Sequence, residues 1–198
     1  MSDVPDDHGT SLIELIVYVV VLGIVMTGMS IVFFNLWTTQ ANVDARTQGT
    51  THGQLVTSEI EKAMRNATGF RVTDGGNTLL VQTSFSGDQK CQGFHFDPTG
   101  GSKSRGTLNM VLAAAPAPDA SAGYPWQDGI SSHTDATFTH FFTGVDSSGL
   151  PKSVDPVGVH YSFAATAPDP NTDIGAVVFV GTAFPRNSTL EGISTCWP

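Results

Sequence analysis

Glu14 is the first residue in the chain whose position implies chemistry. It opens a run, Leu15 to Leu36, that carries no charged residue and is built mostly of Leu, Ile, Val, Met and Phe. A carboxylate in a membrane segment costs about 2.5–3.5 kcal/mol at the bilayer centre and less near an end. It must therefore be paired with a cation or held where it reaches water. Glu14 has two readings on this basis: one half of a buried ion pair, or an interfacial acid snorkelling to lipid headgroups.

The other chemistry-bearing residues are scattered. Cys91 and Cys196 lack C-x-x-C spacing, which argues against zinc or a thioredoxin-like site. In an exported domain they form one disulfide closing a loop of roughly 105 residues, worth about 4–5 kcal/mol in the chain-entropy model; the alternative is two buried free thiols. His95 and His160 sit inside strand-like patterns, where a core or strand-surface role fits. His133, Asp135 and His140 match no standard metal spacing. Asp169, Asn171 and Asp173 alternate oxygen donors like a calcium loop, but no Glu closes it and Ile174 occupies the glycine position, so a turn is the plainer reading. Asn66-Ala-Thr68 and Asn187-Ser-Thr189 match glycosylation sequons. No G-x-S-x-G, H-E-x-x-H or P-loop is present. The expectation is a chain that is not an enzyme and holds neither metal nor cofactor.

The elements that must position these residues begin with a helix. About 20 apolar residues at ~1.5 Å rise match the ~30 Å hydrocarbon core. In lipid the backbone of such a run must satisfy its own hydrogen bonds. Further along, Leu55, Val56, Ile60, Ala63, Met64 and Ala67 share one side at helical period, with Ser58, Glu61, Lys62 and Arg65 opposite and Glu61 placed to pair with Arg65. One long helix from about Ser11 to Ala67 is predicted. Gly23, Gly28, Gly49 and Gly53 are its possible kinks, or else points of close helix approach.

The segment Gly9-Thr10-Ser11-Leu12-Ile13-Glu14, with the uncharged run behind it, resembles the processing signal of type IV prepilins and pseudopilins. The resemblance implies a leader over 1–9, cleavage by a prepilin peptidase between Gly9 and Thr10, and methylation of the new Thr10 amine. It makes Glu14 the fifth mature residue. Thr10 stands where the family usually has Phe, and Asp3, Asp6 and Asp7 make the leader acidic where it is often basic. After cleavage the Thr10 ammonium and the Glu14 carboxylate could neutralise each other inside a filament. Losing one partner of such a buried pair costs about 3–5 kcal/mol. A plain signal anchor is the competing reading and gives no reason for Glu14. A secretory signal peptide fits less well, since the n-region is negative and no small-residue cleavage site follows.

The chain has 198 residues, only 14% of them charged, with 21 Gly and 11 Pro, which suits one turn-rich exported β domain behind a helical appendage. Its net charge of -9, without a Lys or Arg cluster, argues against strong direct nucleic-acid binding. Hairpins are predicted at Phe70–Thr73 with Thr78–Phe85, at Cys91–Asp97 with Thr107–Ala114, and at Val157–Thr166 with Ala176–Phe184, plus a strand over Thr137–Val145. Residues 115–136, rich in Ala, Pro, Asp, Ser and Gly, read as an irregular surface excursion.

The expected fold is α+β: a long N-terminal helix with an apolar first half, packed against an antiparallel β-sheet domain. Its parts are a fibre-core or membrane segment over 10–36, an amphipathic continuation over 37–68 and an exported globular domain over 69–198. Val56–Ala67 ahead of the first hairpin looks most like a minor pilin or J-type minor pseudopilin. The partners implied are the peptidase, other pilin or pseudopilin subunits and the cytoplasmic membrane, with the assembled protein in an extracellular or periplasmic filament. A tip adhesin using loops 98–106 and 115–136 remains the alternative.

Overall fold

A computed structural model describes residues 12–85, 88–100, 105–166, 176–186 and 196–197. Helix α1 runs from Leu12 to Arg65, continuous through Gly23, Gly28, Gly49 and Gly53. The chain divides between Val43 and Asp44 into two units. The first holds the apolar part of α1, and the second holds the remainder of α1 together with the sheet.

Helix α1 ends at Arg65, two residues short of the expected end at Ala67. The Asn66 side-chain amide donates to the Lys62 carbonyl at 2.8 Å, competing for an acceptor that would otherwise serve the helix ladder. Ala67 already belongs to β1, yet it is buried in the same core as Ile60 and Met64, so helical periodicity placed it on the right side for a different reason.

The strands are β1 (Ala67–Thr73), β2 (Thr78–Phe85), β3 (Asp88–Asp97), β4 (Gly106–Ala113), β5 (Tyr124–Ser132), β6 (Phe142–Val145), β7 (Gly158–Ala165) and β8 (Val177–Ala183). All of their pairings are antiparallel. The α+β fold is thus as anticipated. Neighbours run β1-β2-β3-β4-β5-β7, and β8 pairs with residues 159–165 of β7. The other edge of β7 is shared, β5 pairing with residues 163–165 and β6 with 158–161.

Two expectations need correction. Residues 115–136 contain a 3-10 turn (Ala120–Ala122) and all of β5, which sits between β4 and β7. Its composition misled because Pro125 reads as a strand breaker and Gln127 and Asp128 are hydrophilic, while only Ile130 supplies a fully buried apolar side chain. The strand expected over Thr137–Val145 is confined to Phe142–Val145, because Asp135 Oδ1 accepts the backbone N–H groups of Thr137 and Phe138 and closes a turn there.

Period-two alternation explains the core. Leu79 and Val81 of β2, Phe94 and Phe96 of β3, Leu108 and Met110 of β4, and Val159, Tyr161 and Phe163 of β7 join Val56, Ile60 and Met64 of α1 in one cluster. Through it runs a ladder of parallel-stacked rings: Phe96–Phe141 at 4.9 Å, Phe141–Phe163 at 5.2 Å and Phe163–Phe179 at 5.4 Å. Offset stacking of this kind adds to what area burial alone supplies.

Candidate functional site

In the first unit, every residue from Leu12 to Val43 is exposed, including Leu12, Ile24, Phe34 and Trp37. This is the inverse of a water-soluble helix, which hides one apolar stripe and wets the other face. It is long and apolar enough to cross a membrane. Glu14 lies in its first turn. The hydroxyls of Thr27 and Ser30 within the run, and of Thr38 and Thr39 just beyond it, are bonded back to the helix itself. Thr27 Oγ1 donates to the Gly23 carbonyl at 2.8 Å and Ser30 Oγ to the Met26 carbonyl at 2.8 Å. Thr38 and Thr39 likewise donate to the Asn35 carbonyl at 3.0 and 2.8 Å. A hydroxyl bonded back one turn presents mainly its methyl or methylene to the surroundings, as hydrocarbon requires.

Gly9 and Thr10, the expected cleavage and methylation positions, lie outside the described residues. So do Asp169 to Asp173, residues 101–104 of the 98–106 turn and the sequon at Asn187.

In the second unit the sheet-facing stripe of α1 is graded by size. Ala45, Gly49 and Gly53 come first, then Val56, Ile60 and Met64, all buried. A Cβ at Gly53 would run into the ring of Phe179, and one at Gly49 would lie 3.1 Å from the Ala165 carbonyl oxygen. These glycines serve close approach of helix to sheet.

Two carboxylates fasten the docked segment. Glu59 Oε1 accepts from Gln92 Nε2 on β3 at 3.0 Å, and Glu61 Oε1 accepts from the Tyr161 hydroxyl on β7 at 3.0 Å. Glu61 Oε2 also receives Arg65 Nη2 at 3.2 Å, the i,i+4 pair anticipated from spacing. Burial, reinforced by the neighbouring Glu61 carboxylate, pushes the Tyr161 hydroxyl's pKa far upward, so it remains a donor throughout the physiological range. Spacing within the helix put Glu61 on the solvent side. Its second partner comes from β7, a hundred residues later, and no local pattern could have revealed it.

Cys91 and Cys196 are joined in a disulfide, with Cα atoms 5.5 Å apart and both residues fully buried. The bond fixes the adjacent Trp197 on β3's outer side, a consequence that the cysteine count alone did not suggest. Both strand histidines are where their patterns placed them. His95 Nδ1 lies 2.7 Å from Thr78 Oγ1, and His160 Nδ1 lies 3.2 Å from Thr182 Oγ1 while its ring stacks on Phe138 at 3.5 Å. Desolvation lowers the His160 pKa, only partly countered by Asp135. Among the described residues no three His, Cys, Asp or Glu side chains converge as metal ligands.

No family model, curated protein or solved structure matches the chain.

Proposed function

We propose that the chain is a structural subunit, of minor type, of a type IV pilus or a type II secretion-like pseudopilus, cut after Gly9 and assembled through its N-terminal helix. One observation carries the reading. Helix α1 exposes apolar side chains on all sides from Leu12 onward, with Glu14 in its first turn, and then continues without interruption into a segment that docks on a sheet. A membrane anchor needs the first half alone. A helix that must leave the bilayer and bury itself among neighbouring subunits uses both its all-round apolar surface and an acid able to pair with a neighbour's amine.

In this reading the prepilin peptidase removes residues 1–9 and the Thr10 amine is methylated. The helix then passes from the cytoplasmic membrane into a filament core, where Glu14 neutralises an N-terminal ammonium. The experiment is mass spectrometry of the N-terminal peptide from protein recovered in sheared filaments or membranes. A chain beginning at Thr10, with a methylated amine, is the expected result. A chain retaining Met1 or Ser2 would identify an unprocessed anchor.

A further inference from the structure

The sheet face opposite α1 carries an open pocket of about 500 Å³, built around Trp197. Several features hold this indole in place. The disulfide ties Cys196 to β3, the indole Nε1–H donates to the Pro118 carbonyl at 3.1 Å, and the ring packs against Leu80 and Ala120. Gly93 makes the arrangement possible, because a Cβ there would lie 2.8 Å from Ala120 Cβ and 3.5 Å from Trp197 Cζ2.

Around the indole the wall is polar. Asp119 Oδ1 accepts both the backbone N–H and the hydroxyl of Ser121, at 2.9 and 3.0 Å, which orients the carboxylate and leaves its second oxygen without a partner among the described residues. Across the pocket, Thr78 Oγ1 contacts His95 Nδ1 at 2.7 Å, and Asp74 Oδ2 is 3.7 Å from the same nitrogen. When the Thr78 hydroxyl donates to Nδ1, the ring proton resides on Nε2 and the imidazole is itself a donor.

We propose that this pocket binds a saccharide, with one sugar ring lying on Trp197 and its hydroxyls hydrogen-bonded by Asp119, Asp74 and His95. The volume falls in the range of small-ligand sites, about 300–1,000 Å³. An indole face is electron-rich and favours the weakly positive C–H face of a pyranose. Sugar hydroxyls both donate and accept, and this wall offers both: carboxylate acceptors, an imidazole donor, and the hydroxyl oxygens of Thr78 and Ser121 as further acceptors, their own protons being held by His95 Nδ1 and Asp119. A phosphate-bearing ligand would meet two carboxylates. An organic cation would match the acids and the indole but leave the imidazole donor unmet. The pocket belongs to the folded second unit, so this inference stands or falls separately from filament assembly.

The test uses the full chain in a detergent without a sugar headgroup. It is titrated with methyl glycosides and trisaccharides of glucose, galactose, mannose and N-acetylglucosamine, followed by saturation-transfer NMR. At least one series is expected to bind, with its ring C–H protons most strongly saturated. Trp197→Ala and Asp119→Asn should each weaken that binding by about tenfold. Trp197→Phe, which keeps an aromatic plane, should retain part of it. Melting curves of each variant establish that it is folded, and the exposed Asp74→Asn substitution repeats the test without touching the packing around Trp197. Three results would overturn the proposal: no saccharide binds, binding is indifferent to these substitutions, or only a cationic probe such as benzyltrimethylammonium binds.

Discussion

The Tyr161 hydroxyl donates to Glu61 Oε1 at 3.0 Å, joining β7 to α1 across 100 residues of sequence. Glu61 is held on its other side by Arg65, so one half-exposed carboxylate serves a long-range contact and a local one at once. The two contacts differ in kind. The tyrosine end is buried and has lost its water, whereas the arginine end is largely solvated.

Tyr161→Phe should therefore destabilise the protein by about 1.5–3 kcal/mol, the usual worth of a hydrogen bond to a charged acceptor. Glu61→Gln keeps an oxygen for the tyrosine, so it weakens that bond to a neutral one without removing it, and it loses the exposed ion pair, which is worth about 0–1 kcal/mol; its cost should be the smaller. Denaturant midpoints of both variants check this ordering. Equal losses, or a larger one for Glu61→Gln, would place the energy in the Arg65 pair instead.

The disulfide should be worth more than either contact. It closes a loop of 105 residues, for which the chain-entropy model gives about 4–5 kcal/mol. A Cys91→Ala, Cys196→Ala double variant should lose stability of that order in urea titrations and match the reduced wild-type protein. Its loss should also free Trp197, visible as a change in tryptophan fluorescence before global unfolding. A double variant as stable as the oxidised protein would show that packing at Trp197, rather than the covalent bond, holds the C-terminal segment.

What could be read from the sequence divides along physical lines. Local patterning sufficed for α1, for the hairpins from Phe70 to Phe85 and from Cys91 to Ala113, and for the β7–β8 pair, because their sequences carry apolar residues at regular spacing or, as in β7, in a largely apolar run between stretches rich in Gly, Pro or Asp. It failed for β5. That strand earns its place through backbone pairing with β4 and β7 more than through apolar side chains, so it carries little alternating signal. The role of Gly53 was equally hidden, since the ring that excludes a side chain there, Phe179, lies on β8. The sugar-sized pocket combines Asp74 from one turn, His95 from β3, Asp119 from another turn and Trp197 from beyond β8. Only the sheet register and the disulfide bring them together.

Acid should weaken the fold in two separable windows. Desolvation holds the His160 pKa below its ordinary 6.5, so the unfolded chain takes up that proton first. Its contribution is complete above about pH 6.5 and is lost as pH falls from there through the folded value. Asp97, Asp119 and Asp135 are lowered from 3.8, first by the Thr99 hydroxyl and by the Ser121 and Phe138 backbone N–H groups respectively, so their contributions disappear only in stronger acid. Thermal melts as a function of pH should show the upper slope flattened in His160→Gln and the lower slope unchanged. An upper slope that persists in the variant would assign it to another histidine.

Glu14 separates insertion from assembly. It stands in the first turn of α1, at the head of an apolar run, Leu15 to Leu36, that holds no other charged residue, so removing its charge makes the segment easier to place in a bilayer. Glu14→Ala should thus leave membrane fractionation unchanged. In a filament the same substitution would leave an N-terminal ammonium buried without its counter-charge, at about 3–5 kcal/mol per subunit. That corresponds to a loss of more than about a hundredfold in incorporation, while Glu14→Asp, which keeps the charge on a shorter stem, should be partly assembled. Quantitative blotting of sheared filaments against membranes reads both numbers. Normal incorporation of Glu14→Ala would exclude the ion pair and leave Glu14 as an interfacial acid.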